Sequence, residues 1–349
     1  MYDLPEKLKN FTPYEPLTGE YKIRLDVNES FIEIDGEKIA EAVKSVKFNR
    51  YPDPCAKGVT DAFARLFGIE SVHVTAGNGS DELISVITAC LLEKGTRLLC
   101  FAPDFSMYGF YARLYELDVI TREKRGDFTI DTDAAIEFIN AENIGCVVFS
   151  NPCNPTSLGL EKSAVTRLVT ETKALIVADE AYMDFWDEKE SLLADAANYD
   201  NLIVLRTCSK SVALAGIRLG FAVTNSRLSS ALKTAKSPFN VNALTQAVGE
   251  AVLSDAENYR ANVGKIKQSL EWLHKELLSL DLFEKIYPPD ANFVFIKAEN
   301  ARGIYARLLE KGIAVRNFGG YLRICAGTDA ENRALVTALR EIRREGVVT

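Results

Sequence analysis

The sequence predicts an α/β protein built on a mostly parallel sheet that is covered on both faces, and three observations carry this. Apolar runs of strand length, among them GCVVFS (145–150), ALIVAD (174–179) and LIVLR (202–206), are nearly continuous rather than alternating. Such runs mark strands buried on both faces. Stretches with three- and four-residue apolar spacing separate them, as the crossovers between parallel strands require. Several runs end in polar residues, and in open sheets of this kind ligands sit beyond the carboxyl ends of the strands.

Taken in order, the first 30 residues carry three prolines and read as an extended arm. Residues 37–48 look helical, RYPDP at 50–54 is a turn, and 58–67 is helical again. SVHVT (71–75) reads as a strand, SDELISVITACLLEK (80–94) as a helix, TRLLCF (96–101) as a strand and SMYGFYARLY (106–115) as a helix. After GCVVFS come a helix over 162–172 and the strands ALIVAD, LIVLR and GFAVT (220–224). Residues 241–278 read as one or two long helices. ANFVFIK (291–297), ARGIYARLLEKG (301–312) and YLRICAG (321–327) form a β-α-β section, with a final helix from 329. The reading gives an arm (1–30) joining a smaller α/β domain (256–349), and a large domain over 31–255.

The length of 349 residues suits about two domains. A composition of 47% hydrophobic and 26% charged residues is ordinary for a globular protein. The net charge of −8, with no basic run, argues against a nucleic-acid partner. No segment reaches the roughly 18 apolar residues of a membrane span, and MYDLPEKLKN lacks a signal-peptide pattern. Seven cysteines, an odd number with no C-x-x-C pair, fit free thiols in a reducing cytoplasm. Cys90, Cys100 and Cys146 lie in apolar runs and are expected to be buried. His73 and His274 are the only histidines, so histidine-based metal sites and a Ser-His-Asp mechanism are disfavoured. No metal site is expected.

The chemistry lies at the strand ends. ALIVAD delivers Asp179, followed by Glu180, Ala181 and Tyr182. An acid at the tip of a buried strand is costly without a cationic partner. LIVLR leads to Thr207, Cys208, Ser209 and Lys210, and then to LAGIRLG with Arg218. GCVVFS leads into an Asn- and Pro-rich turn that contains Asn154. One cofactor explains all three, pyridoxal 5′-phosphate (PLP). It needs a lysine for an imine, an acid for the ring nitrogen so that the ring acts as an electron sink, donors near the ring oxygen, and an anion site. Lys210, Asp179, Asn154 with Tyr182, and Ser209 with Arg218 fill these needs in that order. AGNGSDELI adds Gly79, Ser80 and Asp81 at the opening of a helix, where free N–H groups bind anions. Alone, such a glycine turn is more often a simple helix cap.

NPCNPT, VADEAY and TCSKSVALAGIRLG, in that order, resemble fold-type I PLP-dependent aminotransferases, from about residue 10 to the C-terminus. Within that family FTPYEP, LDVNES, RYPDP, GNGSDE, PFNVNALTQ and VRNFGGYLRICAGTDAEN are most similar to the histidinol-phosphate aminotransferases. The resemblance implies a large domain with a mostly parallel seven-stranded sheet, and a homodimer with shared active sites. It implies an amino-group exchange between histidinol phosphate and 2-oxoglutarate that gives imidazole acetol phosphate and glutamate. It also implies that Tyr51 reaches the cofactor phosphate of the partner subunit and that Tyr108 stacks on the ring. Tyr14, Asn28, Arg316 and Arg323 then fall at substrate-contacting positions, and Lys210, Asp179 and Tyr182 at catalytic ones. Cys153 and Ser157 in NPCNPTS, and PDFSMY in place of P-T-Y-G, depart from the family pattern. These departures lie beside the site and leave the substrate open: threonine-phosphate decarboxylases and aromatic aminotransferases share the motifs. A non-catalytic PLP sensor would need a DNA-binding module, for which no spare segment is seen.

Overall fold

The computed structural model describes residues 2–12, 15 and 17–346. A 3₁₀ turn (Glu6–Asn10) interrupts the otherwise extended arm. Then come β1 (Ile23–Arg24), α1 (Gly36–Lys44) and α2 (Lys57–Phe67). The large sheet is laid down by β2 (Val74–Gly77), α3 (Ser80–Val86), β3 (Arg97–Ala102), α4 (Met107–Leu114), β4 (Asp118–Glu123) and α5 (Thr132–Ala141). It continues through β5 (Cys146–Ser150), α6 (Lys162–Glu171), β6 (Leu175–Asp179), β7 (Leu202–Thr207) and β8 (Gly220–Val223). Three helices follow: α7 (Ser226–Ala235), α8 (Ala243–Leu253) and α9 (Ala256–Leu278). The chain closes with β9 (Lys285–Ile286), β10 (Phe293–Lys297), α10 (Ala301–Glu310), β11 (Ile313–Ala314), β12 (Arg316–Asn317), β13 (Tyr321–Cys325) and α11 (Asp329–Arg344).

The seven-stranded sheet has the order β2-β8-β7-β6-β5-β3-β4. β8 is antiparallel to both neighbours, and every other pair is parallel. Side chains alternate between two cores: Val147 and Phe149 of β5 face one, Cys146 and Val148 the other. Helices cover both faces, so the strands inside the edge strand β4 are apolar on both faces, as their continuous apolar sequences predict. Because β8 runs against the rest, the residues just before it lie at the same sheet edge as the residues that follow β2, β5, β6 and β7.

A further core gathers α9, α10, α11, β10 and β13, with Leu25 of the arm and Tyr182 and Phe185 from beyond β6. Its sheet has the order β12-β13-β10-β9, and β1 pairs in parallel with β11, tying the arm to it. Among the described residues no helix is long and apolar enough to cross a membrane.

Several elements differ from the sequence reading. The 241–278 stretch is two helices, because Asp255 caps α9 by accepting from Asn258 N. α1 stops at Lys44, four residues early, and the helix from Ser80 runs through a π turn only to Leu91. His73 lies in a 3₁₀ turn and β2 begins at Val74. β4 is an edge strand whose polar residues hid it, and α5 and α7 were also not read. Cys90 is exposed, whereas Cys100 and Cys146 are buried as expected, and all seven thiols are free.

Candidate active site

The carboxyl ends of β2, β3, β5, β6 and β7, the loop before β8, the arm and β12–β13 enclose one cavity of about 520 Å³. Twelve of the residues singled out from sequence line it: Asn28, Ser80, Asp81, Tyr108, Asn154, Asp179, Tyr182, Ser209, Lys210, Arg218, Arg316 and Arg323. Gly79 stands directly behind Arg218. Tyr51 lies elsewhere, 82% exposed and stacked on Phe239 with ring centroids 4.7 Å apart. Tyr14 lies outside the described residues.

β6 ends on Asp179, a carboxylate only 4% exposed. Its Oδ2 accepts from the Tyr108 hydroxyl at 2.8 Å and its Oδ1 from Ala181 N at 3.2 Å. No Lys or Arg pairs with it among the described residues, and burial pushes its pKa up to about 7. The resemblance implies a ring-stacking Tyr108; here that residue also fixes the acid, while its ring meets Phe105 edge-on.

Lys210 follows β7 on a loop closed by two backbone bonds, Cys208 N to Leu219 O and Leu214 N to Cys208 O, each 2.9 Å. Its Nζ donates to the Val27 carbonyl at 3.4 Å. Burial is the main cause that lowers its pKa to about 8, and the nearby Arg323 charge acts in the same direction. Behind the two strand tips, buried Arg206 pairs with Glu180 at 3.2 Å and closely with Asp184, which also accepts from Ser211 Oγ. Glu180 and Ser211 flank Asp179 and Lys210 in sequence, so this ion cluster fixes the spacing of acid and amine.

The Gly79–Ser80 turn, Ser209 and Arg218 form an anion cradle. Arg218 Nη1 donates to Ser209 Oγ at 3.2 Å, and Nη2 pairs with Asp81 Oδ2 at 3.1 Å. Glu82 reaches back to Asn78 N at 2.7 Å and fixes the turn. Gly79 has φ +84°, and a Cβ there would stand 2.8 Å from Arg218 Nη2. A Cβ on Gly220 would stand 2.3 Å from Ser80 N, so only glycine lets β8 pass the cradle.

Arg323, on β13, donates from Nη1 to Asn154 Oδ1 at 2.5 Å and from Nη2 to the Asp26 carbonyl at 2.6 Å, while its Nε has no partner. Neither it nor half-buried Arg316 has a carboxylate partner among the described residues. Ser150 Oγ accepts from Asn154 N at 2.9 Å. Tyr182 OH accepts from Asn28 Nδ2 at 2.8 Å.

Sequence reasoning missed Asp104, Phe105, Ser150, Thr207 and Phe318, all in the cavity wall. The strand-end rule, applied to β3, would have found Asp104. It is buried, joined to Ser150 and 3.4 Å from Lys124, whose Nζ also contacts Cys153 Sγ at 2.9 Å. Two of the departures from the family pattern therefore lie around one lysine.

The cavity has specific chemical demands. A buried carboxylate faces it without a cation, an amine is held near neutrality, and a cradle and two arginines await anions. A compact molecule with a basic ring nitrogen, an aldehyde and a phosphate meets the first three, and PLP has these groups. Among the described residues no cluster could hold a metal ion.

A fold-type I sheet with a lysine, an acid and an anion cradle at one edge defines a PLP-dependent enzyme. The chain matches the aminotransferase class I and II family over residues 20–339, and it belongs to that family. It is 40% identical over 345 residues, 97% of each protein, to a histidinol-phosphate aminotransferase of Clostridium kluyveri. A crystal structure of histidinol-phosphate aminotransferase from Sinorhizobium meliloti in complex with pyridoxal-5′-phosphate has a TM-score of 0.89 at 22% identity, covering 99% of this chain and 98% of that one. L-threonine-O-3-phosphate decarboxylase from Porphyromonas gingivalis has a TM-score of 0.79 at 20% identity, covering 92% and 99%. At these identities the solved structures share the fold, and the fold alone does not select the substrate.

Proposed function

We propose that this chain is a PLP-dependent aminotransferase of histidine biosynthesis. It moves the amino group of histidinol phosphate to 2-oxoglutarate, giving imidazole acetol phosphate and glutamate. The observation that carries this reading is the meeting, in one cavity, of Lys210, Asp179 and two arginines that have no acid partner among the described residues. Full-length identity to proteins of that name supplies the substrate.

When bound, the cofactor supplies the carbonyl that takes up the amino group and a ring that accepts the electrons released at the substrate carbon. Lys210 would anchor it and, once displaced, would take a proton on Nζ from the substrate carbon and deliver it to the cofactor carbon that bears the nitrogen; its lowered pKa suits both tasks. Asp179 holds a proton at the ring nitrogen, and Tyr108 keeps its carboxylate in place. Asn154 turns Oδ1 to Arg323, which leaves Nδ2 to donate to the ring oxygen beside the Tyr182 hydroxyl. Gly79, Ser80, Asp81, Ser209 and Arg218 hold the phosphate. Arg323 and Arg316 take the carboxylate of one substrate and the phosphate of the other, since a guanidinium fork suits both. Asn28 flanks the substrate, and family likeness gives Tyr14 a substrate-binding role.

The working form is a homodimer in which Tyr51 reaches the partner's cofactor phosphate. The exposure of Tyr51 at 82% and of nearby Phe48 at 73% supports this. The unit boundary at 255/256 follows the two sets of cores, and free thiols favour the cytoplasm.

The test is an absorbance scan of PLP-loaded protein mixed with histidinol phosphate and no keto acid. Conversion to the pyridoxamine-phosphate band is expected. An unchanged spectrum rejects this substrate, and release of carbon dioxide from threonine phosphate would establish the decarboxylase reading instead.

A further inference from the structure

We propose that Cys325 is a positioning residue: its thiol sets which way the Asn28 amide faces, and so aims the Tyr182 hydroxyl proton into the cavity. The inference rests on the PLP reading above and adds a residue that the reading does not use.

Asn28 is 2% exposed and sits in the left-handed region at φ 57°, which asparagine enters more readily than most residues. One sulfur contacts it twice. Asn28 N donates to Cys325 Sγ at 3.1 Å, and the thiol donates back to Asn28 Oδ1 at 3.0 Å. β13 carries this thiol two residues beyond Arg323, and Cys325 N is held by the Leu25 carbonyl at 3.1 Å. The arm is thereby pinned on both sides of the Val27 carbonyl that accepts from Lys210.

The direction of the chain follows from counting protons. Oδ1 is occupied by the thiol, so the amide presents Nδ2 to Tyr182 and donates to its oxygen at 2.8 Å. A phenol has one proton. Having accepted from Nδ2, Tyr182 keeps its own proton for another acceptor, and its remaining open side is the cavity. Burial holds the Cys325 thiol above its ordinary pKa and pushes the Tyr182 hydroxyl up as well, so both stay protonated donors. Without the thiol, the amide can turn and offer Oδ1 to Tyr182, which draws the proton out of the cavity. Serine has the same donor and acceptor and preserves the arrangement.

The experiment is a pH titration of the visible band of the PLP-loaded protein. A donor to the ring oxygen favours its ionised form, so the band gains its proton at lower pH when the hydroxyl points inward. Cys325→Ala is expected to raise the midpoint by about half a pH unit or more, while Cys325→Ser stays close to the parent. In a Tyr182→Phe background Cys325→Ala should add nothing, because the two act through one hydroxyl. Should Cys325→Ala not fold, Asn28→Asp carries the test: its carboxylate can only accept from Tyr182, and the same upward shift is expected with the thiol intact. An unchanged midpoint in Cys325→Ala or, failing that, in Asn28→Asp overturns the inference, as does an additive shift in the Tyr182→Phe background. A parent protein with no PLP band overturns the cofactor reading and this inference together.

Discussion

Burial moves the Asp179 carboxyl up to about 7 and the Lys210 amine down to about 8, and each shift can be measured. Only the neutral Lys210 amine attacks the cofactor aldehyde, so capture of PLP by the cofactor-free protein should quicken by about tenfold per pH unit below pH 8 and level off above it. A stopped-flow profile still rising toward pH 10 would mean that burial does not govern the amine. Asp179→Asn should still bind PLP yet lose turnover by about 100-fold or more, because the ring nitrogen then lacks its ionised partner. Measured turnover near that of the parent would remove the electron-sink role from Asp179. These two residues, with Asn154 and Arg218, were legible because each follows or precedes an apolar strand. Cys325 gave no comparable signal: in YLRIC it reads as one more inward residue of a half-buried strand, and only the folded arm shows what it touches.

At the scale of elements, continuous apolar strands were read within a residue or so, while elements stabilised by long-range contact were not. β4 pairs with β3 along six residues, yet Asp118, Thr121 and Glu123 are exposed on its two faces, so its sequence has no buried-strand pattern. The split between α8 and α9 was left open because apolar spacing continues across it; the Asp255 cap decides it. The passage of β8 beside the Gly79–Ser80 turn gives the clearest prediction at this scale. Gly220→Ala should force the strand away from Ser80 N and weaken PLP retention by about tenfold or more, since about 1.4 kcal/mol suffices for that. Gly264→Ala on α9, where an added Cβ meets nothing within 4 Å, should leave it unchanged. Equilibrium dialysis of both variants against PLP checks the contrast, and equal retention would show that the strand can yield.

For the whole molecule, a net charge of −8 coexists with a cavity bearing Lys210, Arg218, Arg316 and Arg323. The same wall also carries Asp26, Glu29, Asp81, Asp104 and Asp179, so anions are drawn by individual guanidinium groups and not by a net positive field. Assembly is testable at this scale. On the proposed dimer, Tyr51→Phe should leave the assembly intact by sedimentation yet lower PLP affinity, because only the proposed hydroxyl contact across subunits would be removed. Unaltered affinity would place Tyr51 outside the site. The sequence motifs implied a partner contact through family likeness alone, since the exposure of an aromatic residue cannot be read from its neighbours.

The reversed β8 has a consequence for how such a chain tolerates change over generations. A single excursion from β7 to β8 carries both the proposed covalent anchor, Lys210, and the proposed anion clamp, Arg218, and returns to the edge it left. Insertions or deletions between Thr207 and Gly220 would displace both functions at once. Lineages are therefore free to vary in length at solvent-facing turns such as the one at Gly126, where nothing crowds the backbone, but not across this excursion.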